Sequence, residues 1–178
     1  FLRHSRGVPT LISLLSTDRE ESDRQQIAVI FLGGNTGTGK SFWARQYAAW
    51  RGEEIYSVIL PDTSSGRPWF DGYRGERILL IDDLNSDRDG RLVLSRGRLL
   101  RLLDFYPLQV DVKNSFEWAK WDTVVITSNY TPDALFGNDG ALMRRLTQTV
   151  QVNTRQDLPD FKIDLPVRYL QSRTVIWI

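Results

Sequence analysis

The sequence predicts an α/β domain, a parallel sheet flanked by helices, and three observations carry that prediction. Apolar runs at residues 26–32, 55–60, 78–81 and 123–127 have strand length and the unbroken, largely β-branched character of strands covered on both faces. Segments with apolar residues at helical spacing separate or follow these runs. The first run passes through a glycine-rich stretch straight into one of them. Strands alternating with helices are built into a parallel sheet.

Taking the elements in order, Val8-Pro9-Thr10-Leu11-Ile12-Ser13-Leu14-Leu15 sets a proline near a helix start with apolar residues at helical spacing behind it. A charged stretch follows at residues 18–24, so residues 1–24 read as a short helical segment and linker. The first strand ends at Gly33-Gly34, and Phe42, Trp43, Tyr47 and Trp50 space bulky residues along a helix with no breaker before Gly52. The second strand gives way to residues 61–75, a loop of turn formers whose aromatics, in Pro68-Trp69-Phe70-Asp71-Gly72-Tyr73, are expected to anchor it. The third strand closes on Asp82-Asp83, and residues 92–103 show helical periodicity interleaved with Arg96, Arg98 and Arg101. Residues 108–112 and 115–118 alternate about Lys113-Asn114, which predicts a β-hairpin. The last buried strand ends at Ser128-Asn129, ahead of helical material in Ala141-Leu142-Met143-Arg144-Arg145-Leu146. Residues 25–152 thus form the main domain, and residues 153–178 a weakly patterned tail of unclear role.

A chain of 178 residues with 41% hydrophobic content buries one substantial core. With 23 basic against 22 acidic side chains the net charge is +1, so any nucleic-acid surface is local rather than global. Cysteine is absent and His4 stands alone, which excludes disulfide frameworks and Cys- or His-based zinc sites. No run approaches the roughly 20 apolar residues that span a bilayer, and no charged-then-apolar leader is present. A soluble intracellular protein without membrane partners is expected. The chain begins at Phe1 and its only methionine is Met143, which reads as a piece of a larger polypeptide.

The chemistry concentrates in Gly34-Asn35-Thr36-Gly37-Thr38-Gly39-Lys40-Ser41. In a G-x-x-x-x-G-K-S pattern between strand and helix, glycines let backbone N–H groups turn toward phosphates. The lysine reaches the β- and γ-oxygens, and the serine hydroxyl holds Mg²⁺. The following helix adds its positive end. ATP with Mg²⁺ is the expected ligand pair. Asp82 and Asp83, at a strand's carboxyl end, would face the same ligand, Asp82 in the metal shell and its neighbour on the attacking water. Asn129, ending another parallel strand, would share that edge and either donate to the γ-phosphate or accept from the water, positioning it without adding charge. Read alone, the two acids also fit a solvated turn and Asn129 a turn former before Pro132.

Arg144 and Arg145 follow apolar residues with no acidic neighbour in sequence beyond Asp139. Either they form a solvated basic face or one is donated across a subunit boundary to a transferring phosphoryl group. Lys113 is one of only four lysines against nineteen arginines and tops the predicted hairpin beside Asn114 and Phe116. It is either an ordinary turn lysine or a contact to phosphates, with the aromatic available to a sugar or base.

Taken together, the glycine loop, Ile78-Leu79-Leu80-Ile81-Asp82-Asp83, Val124-Val125-Ile126-Thr127-Ser128-Asn129 and Leu142-Met143-Arg144-Arg145-Leu146 resemble the superfamily 3 helicase domain of replication initiator (Rep) proteins of circular single-stranded DNA viruses. Trp69-Phe70-Asp71-Gly72-Tyr73-Arg74-Gly75 and Leu99-Leu100-Arg101-Leu102-Leu103-Asp104-Phe105-Tyr106-Pro107-Leu108 sharpen the resemblance toward circovirus-like Reps. The resemblance covers about residues 31–150 and implies an AAA+-like P-loop fold. It makes Lys40 and Ser41 the Walker A pair, Asp82 and Asp83 the Walker B acids, and Asn129 the polar sensor. It makes Lys113 the hairpin residue that grips DNA, and Arg145, which precedes apolar Leu146, the arginine finger in preference to Arg144.

By the same resemblance, residues 1–16 are an oligomerisation segment and the working unit is a homo-oligomer, a hexameric ring. The ring would translocate three-prime to five-prime on single-stranded DNA during rolling-circle replication, in the host nucleus for a virus of eukaryotes. Such Reps carry an N-terminal nicking endonuclease domain with paired histidines and a catalytic tyrosine; a chain with His4 alone is not expected to hold that site. Two other classes stay open on the residues alone, a nucleotide kinase-like phosphotransferase and a module that binds nucleotide only to assemble. No Asn-Lys-x-Asp base-reading motif of a GTPase switch is present.

Overall fold

The computed structural model describes residues 26–161. The helix expected near the start of the chain, the oligomerisation reading attached to it, and most of the tail lie outside the described residues. Strand β1 (Ala28–Gly33) leads into helix α1 (Lys40–Arg51), then come β2 (Ile55–Ser57), β3 (Ile78–Ile81) and α2 (Arg96–Leu102). The hairpin β4 (Gln109–Val112) and β5 (Ser115–Trp118) is followed by β6 (Thr123–Ser128), α3 (Pro132–Phe136), α4 (Gly140–Met143) and β7 (Gln148–Gln151). Five strands form one sheet in the order β2-β3-β6-β1-β7 with every pairing parallel. The α/β expectation is met.

Every residue of β1, β3 and β6 is buried, which is why these segments read as unbroken apolar runs. The pleat sends alternate side chains to opposite faces. Val29, Phe31, Leu79, Ile81, Val124 and Ile126 face a core that includes Leu99, Leu102 and Trp121, whereas Ile30, Leu32, Ile78, Leu80 and Val125 face Trp43, Ala44, Tyr47 and Ala48. On α1 the buried positions 40, 43, 44, 47 and 48 make one stripe, and Trp43 stacks on Tyr47 with ring centroids 5.2 Å apart. The helix stops at Gly52, whose left-handed backbone lets its N–H reach the carbonyls of Ala48 and Ala49.

The hairpin forms as read, with Val112 opposite Ser115 and a two-residue turn at Lys113-Asn114, where Asn114 adopts a φ of 63°. Residues 61–75 are a loop anchored by Phe70 and Tyr73, each 3% exposed.

One detail differs from the sequence reading and two lie beyond it. Helix α2 begins at Arg96 rather than 92, because residues 92 and 93 bond to the segment after β3 instead: Ser86 pairs with Leu92, and the Val93 N–H donates to the Asn85 carbonyl at 3.1 Å. Strand β7, which the periodicity does not reveal, adds to β1 at the sheet's edge. The described part of the tail, residues 153–161, packs on the α1 face, where the Trp43 indole donates to the Pro159 carbonyl at 2.6 Å and Phe161 lies against Trp50. Among the described residues no helix is long and apolar enough to cross a membrane.

Candidate nucleotide site

A parallel sheet brings the carboxyl ends of all its strands to one edge, and here that edge collects the polar ends of β1, β3 and β6. Between β1 and α1 the chain makes a tight loop in which Gly34, Gly37 and Gly39 take φ values of 133°, 74° and 93°. Gly34 is also pressed against the residue just past β7: a Cβ there would lie 2.3 Å from the Val152 carbonyl oxygen. Only glycine satisfies both constraints.

Lys40, at the first position of α1, is 7% exposed and folds back so that its ammonium donates to the Gly34 and Asn35 carbonyls at 2.9 and 2.6 Å. Burial lowers its pKa below the ordinary lysine value, while the negative charges of Asp83 and Asp82 pull the other way. The Ser41 hydroxyl donates to Asp82 Oδ1 at 2.6 Å, linking the loop to the end of β3. Asp82 Oδ1 also accepts from the Thr127 hydroxyl at 2.7 Å.

Asp83 takes a left-handed φ of 53°, a conformation that costs a non-glycine residue roughly 1–2 kcal/mol. Its N–H donates to Thr127 Oγ1 at 2.8 Å and its Oδ1 accepts from the Asn129 amide at 3.1 Å. These bonds to β6 hold the strained turn.

Thr36, Gly37, Gly39, Lys40, Ser41, Phe42, Asp82, Asp83, Thr127 and Asn129 line one open cleft of about 350 Å³. All five polar residues expected from the sequence at this ligand therefore meet, together with three of the loop's glycine and threonine positions. The Gly34 and Asn35 carbonyls accept from the Lys40 ammonium, and Thr38 is buried with its hydroxyl donating to the Asn35 carbonyl at 3.0 Å. The Ser41 hydroxyl and the Asp82 carboxylate, already in contact, are the hard oxygen donors that suit Mg²⁺.

Thr127 is the residue that sequence reading missed. It is 2% exposed, and its single hydroxyl serves both acids. In the sequence it is one more β-branched residue of a strand. Residues 153–158 also border the loop unannounced: the Asn35 amide donates to the Asn153 carbonyl at 3.2 Å, and Arg155 and Leu158 lie beside Gly39.

Arg144 is the C-cap of α4 and Arg145 follows it, and neither lines the cleft. Asp139, the one acid near them in sequence, is engaged elsewhere. It caps α4 through the N–H groups of Ala141 and Leu142 and pairs with Arg96. The sequence sets no acid but Asp139 near Arg145, yet the fold pairs Arg145 with a carboxylate of its own chain. Its guanidinium donates to Asp104 at 2.7 Å and to the Ala141 carbonyl at 2.8 Å, because the turn after α2 comes alongside α4. Arg144 is exposed. Lys113 and Asn114 are exposed at the hairpin tip and Phe116 is half-buried on β5; none of the three lines the cleft.

Comparison with known proteins agrees with this geometry. The family described as RNA helicase matches residues 30–130, more than half of the chain and the segment that runs from β1 past Asn129. The replication-associated protein of beak and feather disease virus is 32% identical over 95% of this chain and 54% of its own length. That of porcine circovirus 2 is 31% identical over 84% of this chain and 45% of its own length, and that of pigeon circovirus 29% over 95% and 49%. The chain spans about half the length of the relatives it matches. With the matched segment carrying the glycine loop, both acids and the amide on one sheet edge, the chain belongs to the RNA helicase family as a superfamily 3 helicase domain of the circovirus-like Rep type.

Proposed function

We propose that this domain is the ATP-driven motor of a viral rolling-circle replication initiator, working as a ring on single-stranded DNA with ATP hydrolysed between subunits. The observation that carries the reading is the convergence of Lys40, Ser41, Asp82, Asp83 and Asn129 on one cleft at the carboxyl edge of the sheet.

In this reading the loop's N–H groups and the end of α1 hold the triphosphate, and Lys40 exchanges its two carbonyl acceptors for the β- and γ-phosphate oxygens. Ser41 and Asp82 would hold Mg²⁺, which neutralises charge on the phosphates when bound. Asp83 orients the attacking water and accepts its proton, and the Asn129 amide, 3.1 Å from Asp83, helps fix that water. Arg145, steadied by Asp104, completes the site of a neighbouring subunit and stabilises charge on the transferring group. Lys113, with Asn114 and Phe116, meets the strand at the hairpin tip. The half of the full-length protein outside this chain would contribute the nicking domain.

The test compares Lys40→Ala with Lys113→Ala in ATPase assays with and without single-stranded DNA, and with RNA as a second arm. Lys40→Ala is expected to abolish turnover, and Lys113→Ala to keep the basal rate and lose its stimulation by the strand. Equal loss in both variants contradicts the separate roles. A rate indifferent to nucleic acid that rises with a nucleoside acceptor makes the protein a kinase instead.

A further inference from the structure

On the sheet face opposite α1, the loop of residues 61–75, helix α2 and strand β4 line an open cavity of about 340 Å³ that plays no part in the nucleotide site. Arg67, Arg98 and Arg101 line it, against one acidic residue, Asp111. Arg98 and Arg101 stand one turn apart on α2 and so share a face. Arg98 is half-buried, and its guanidinium donates to the Gly66 carbonyl, tying the loop to the helix and fixing where Arg67 emerges. Arg67 and Arg101 are exposed, and among the described residues neither is paired with a carboxylate. In a chain whose net charge is +1, three guanidinium groups converging on one cavity are a concentrated local field.

The surroundings say what such a field would hold. Strand β4, whose Gln109 and Asp111 line the cavity, runs on to Lys113 at the hairpin tip, only about 10 Å further at strand rise. Exposed aromatics flank it: Trp69 is 55% exposed two residues after Arg67, and Phe105 and Tyr106, 48% and 64% exposed, stack at 4.5 Å just past α2. A basic groove interleaved with exposed rings is the footprint of single-stranded nucleic acid, whose phosphates meet the cations while its bases find flat partners.

We propose that the cavity lined by Arg67, Arg98 and Arg101 is a second anchoring point for the strand, gripping backbone phosphates one step away from the hairpin tip. This rests on the reading of the domain as a nucleic-acid motor. Guanidinium groups suit the task because their planar forks bind phosphate oxygens in pairs. Arg98 has a structural duty as well, so the informative substitutions are Arg67→Ala, Arg101→Ala and the double variant.

The experiment measures binding of fluorescein-labelled oligothymidylate and oligouridylate by anisotropy across a range of salt concentrations. Each substitution is expected to weaken binding and to reduce the slope of log affinity against log salt by about 0.7, the double variant by about twice that. Basal ATPase is expected to stay at the wild-type rate. The effect should be equal on the two oligomers, because phosphate is what is held; a loss confined to one of them overturns the phosphate assignment. An unchanged slope in the double variant overturns the proposal, and if Lys113→Ala still weakens binding in the same assay the motor reading survives that failure. An unchanged slope with an altered sedimentation profile assigns the cavity to contacts between copies of the chain. Wild-type protein that binds neither oligomer removes both the cavity proposal and the motor.

Discussion

Arg145 reaches Asp104 at 2.7 Å, across 41 residues of sequence, with the two side chains 21% and 22% exposed. The contact joins the turn after α2 to the end of α4, so the arginine expected to act on a neighbouring subunit is held by a carboxylate of its own. Breaking a partly buried, charged hydrogen bond costs about 1–3 kcal/mol, and a lost arginine finger costs about 10³-fold or more in turnover. Arg145→Ala is therefore expected to lower the melting temperature by several degrees and ATPase by about 10³-fold. Asp104→Asn breaks the same pair but keeps the guanidinium, so it should lower the melting temperature comparably and retain most of the turnover. Arg144→Ala should change neither. Should Asp104→Asn lose as much turnover as Arg145→Ala, Arg145 is a structural residue and the finger must be sought elsewhere.

Thr127 sits beneath both acids of the site, giving its proton to Asp82 and accepting the Asp83 N–H. Thr127→Val keeps the shape and strands that N–H, in a turn already strained at Asp83. The expected stability loss is about 1–3 kcal/mol by urea denaturation. ATPase should fall with it, and the Mg²⁺ concentration giving half-maximal rate should rise, since Asp82 loses the contact that orients it. Thr127→Ser restores the hydroxyl and should recover both the magnesium dependence and most of the rate. A serine variant as impaired as the valine one would mean that the hydroxyl is not enough by itself and that β6 needs the methyl group there as well.

What the sequence disclosed follows from how local each signal is. The glycine loop is contiguous, and Asp82, Asp83 and Asn129 are legible because each ends a run that is apolar on both faces of the sheet. The hairpin is legible from its alternation about a two-residue turn. Strand β7 escaped because it is an edge strand with exposed Thr149 and Gln151, so it lacks the unbroken apolar run of its neighbours. Leu92, Val93 and Leu94 imitate a helix because a non-helical segment pressed into the core also needs apolar residues. The Arg145–Asp104 pair and the double duty of Thr127 depend on contacts over 40 residues away, which no local pattern encodes.

Two glycines of the loop separate backbone conformation from space. Gly34 and Gly37 both adopt positive φ, 133° and 74°, but a Cβ on Gly34 would strike the Val152 carbonyl oxygen at 2.3 Å, whereas one on Gly37 meets nothing within 4 Å. Gly37→Ala should cost only the left-handed strain, roughly 1–2 kcal/mol, and remain folded. Gly34→Ala must force β7 away from β1, and its product is expected to be insoluble or to melt far below the Gly37 variant. Circular dichroism melts of the pair decide it, and equal melting temperatures would mean that β7 does not press on the loop in solution.

Tyr56 supplies a prediction in the alkaline range. Burial, with lesser contributions from the charges of Asp71 and Glu76, pushes its pKa from 10.0 up to about 12, and its hydroxyl donates to the Asp71 carbonyl at 3.0 Å. The folded chain therefore keeps a proton that the unfolded chain releases above pH 10, and the unfolded state gains relative to it as pH rises. Stability from this group is full below pH 10 and is lost as pH rises toward 12. Tyr47, raised by burial in the same direction, adds to the loss. Tyr56→Phe abolishes one titration and leaves the Asp71 carbonyl without its donor. The variant should be about 1 kcal/mol less stable at pH 7, and should lose less on going from pH 9 to pH 11 than the wild type does. Urea titrations followed by tryptophan fluorescence at the two pH values make the comparison, and parallel losses in both proteins would place the alkaline sensitivity outside Tyr56.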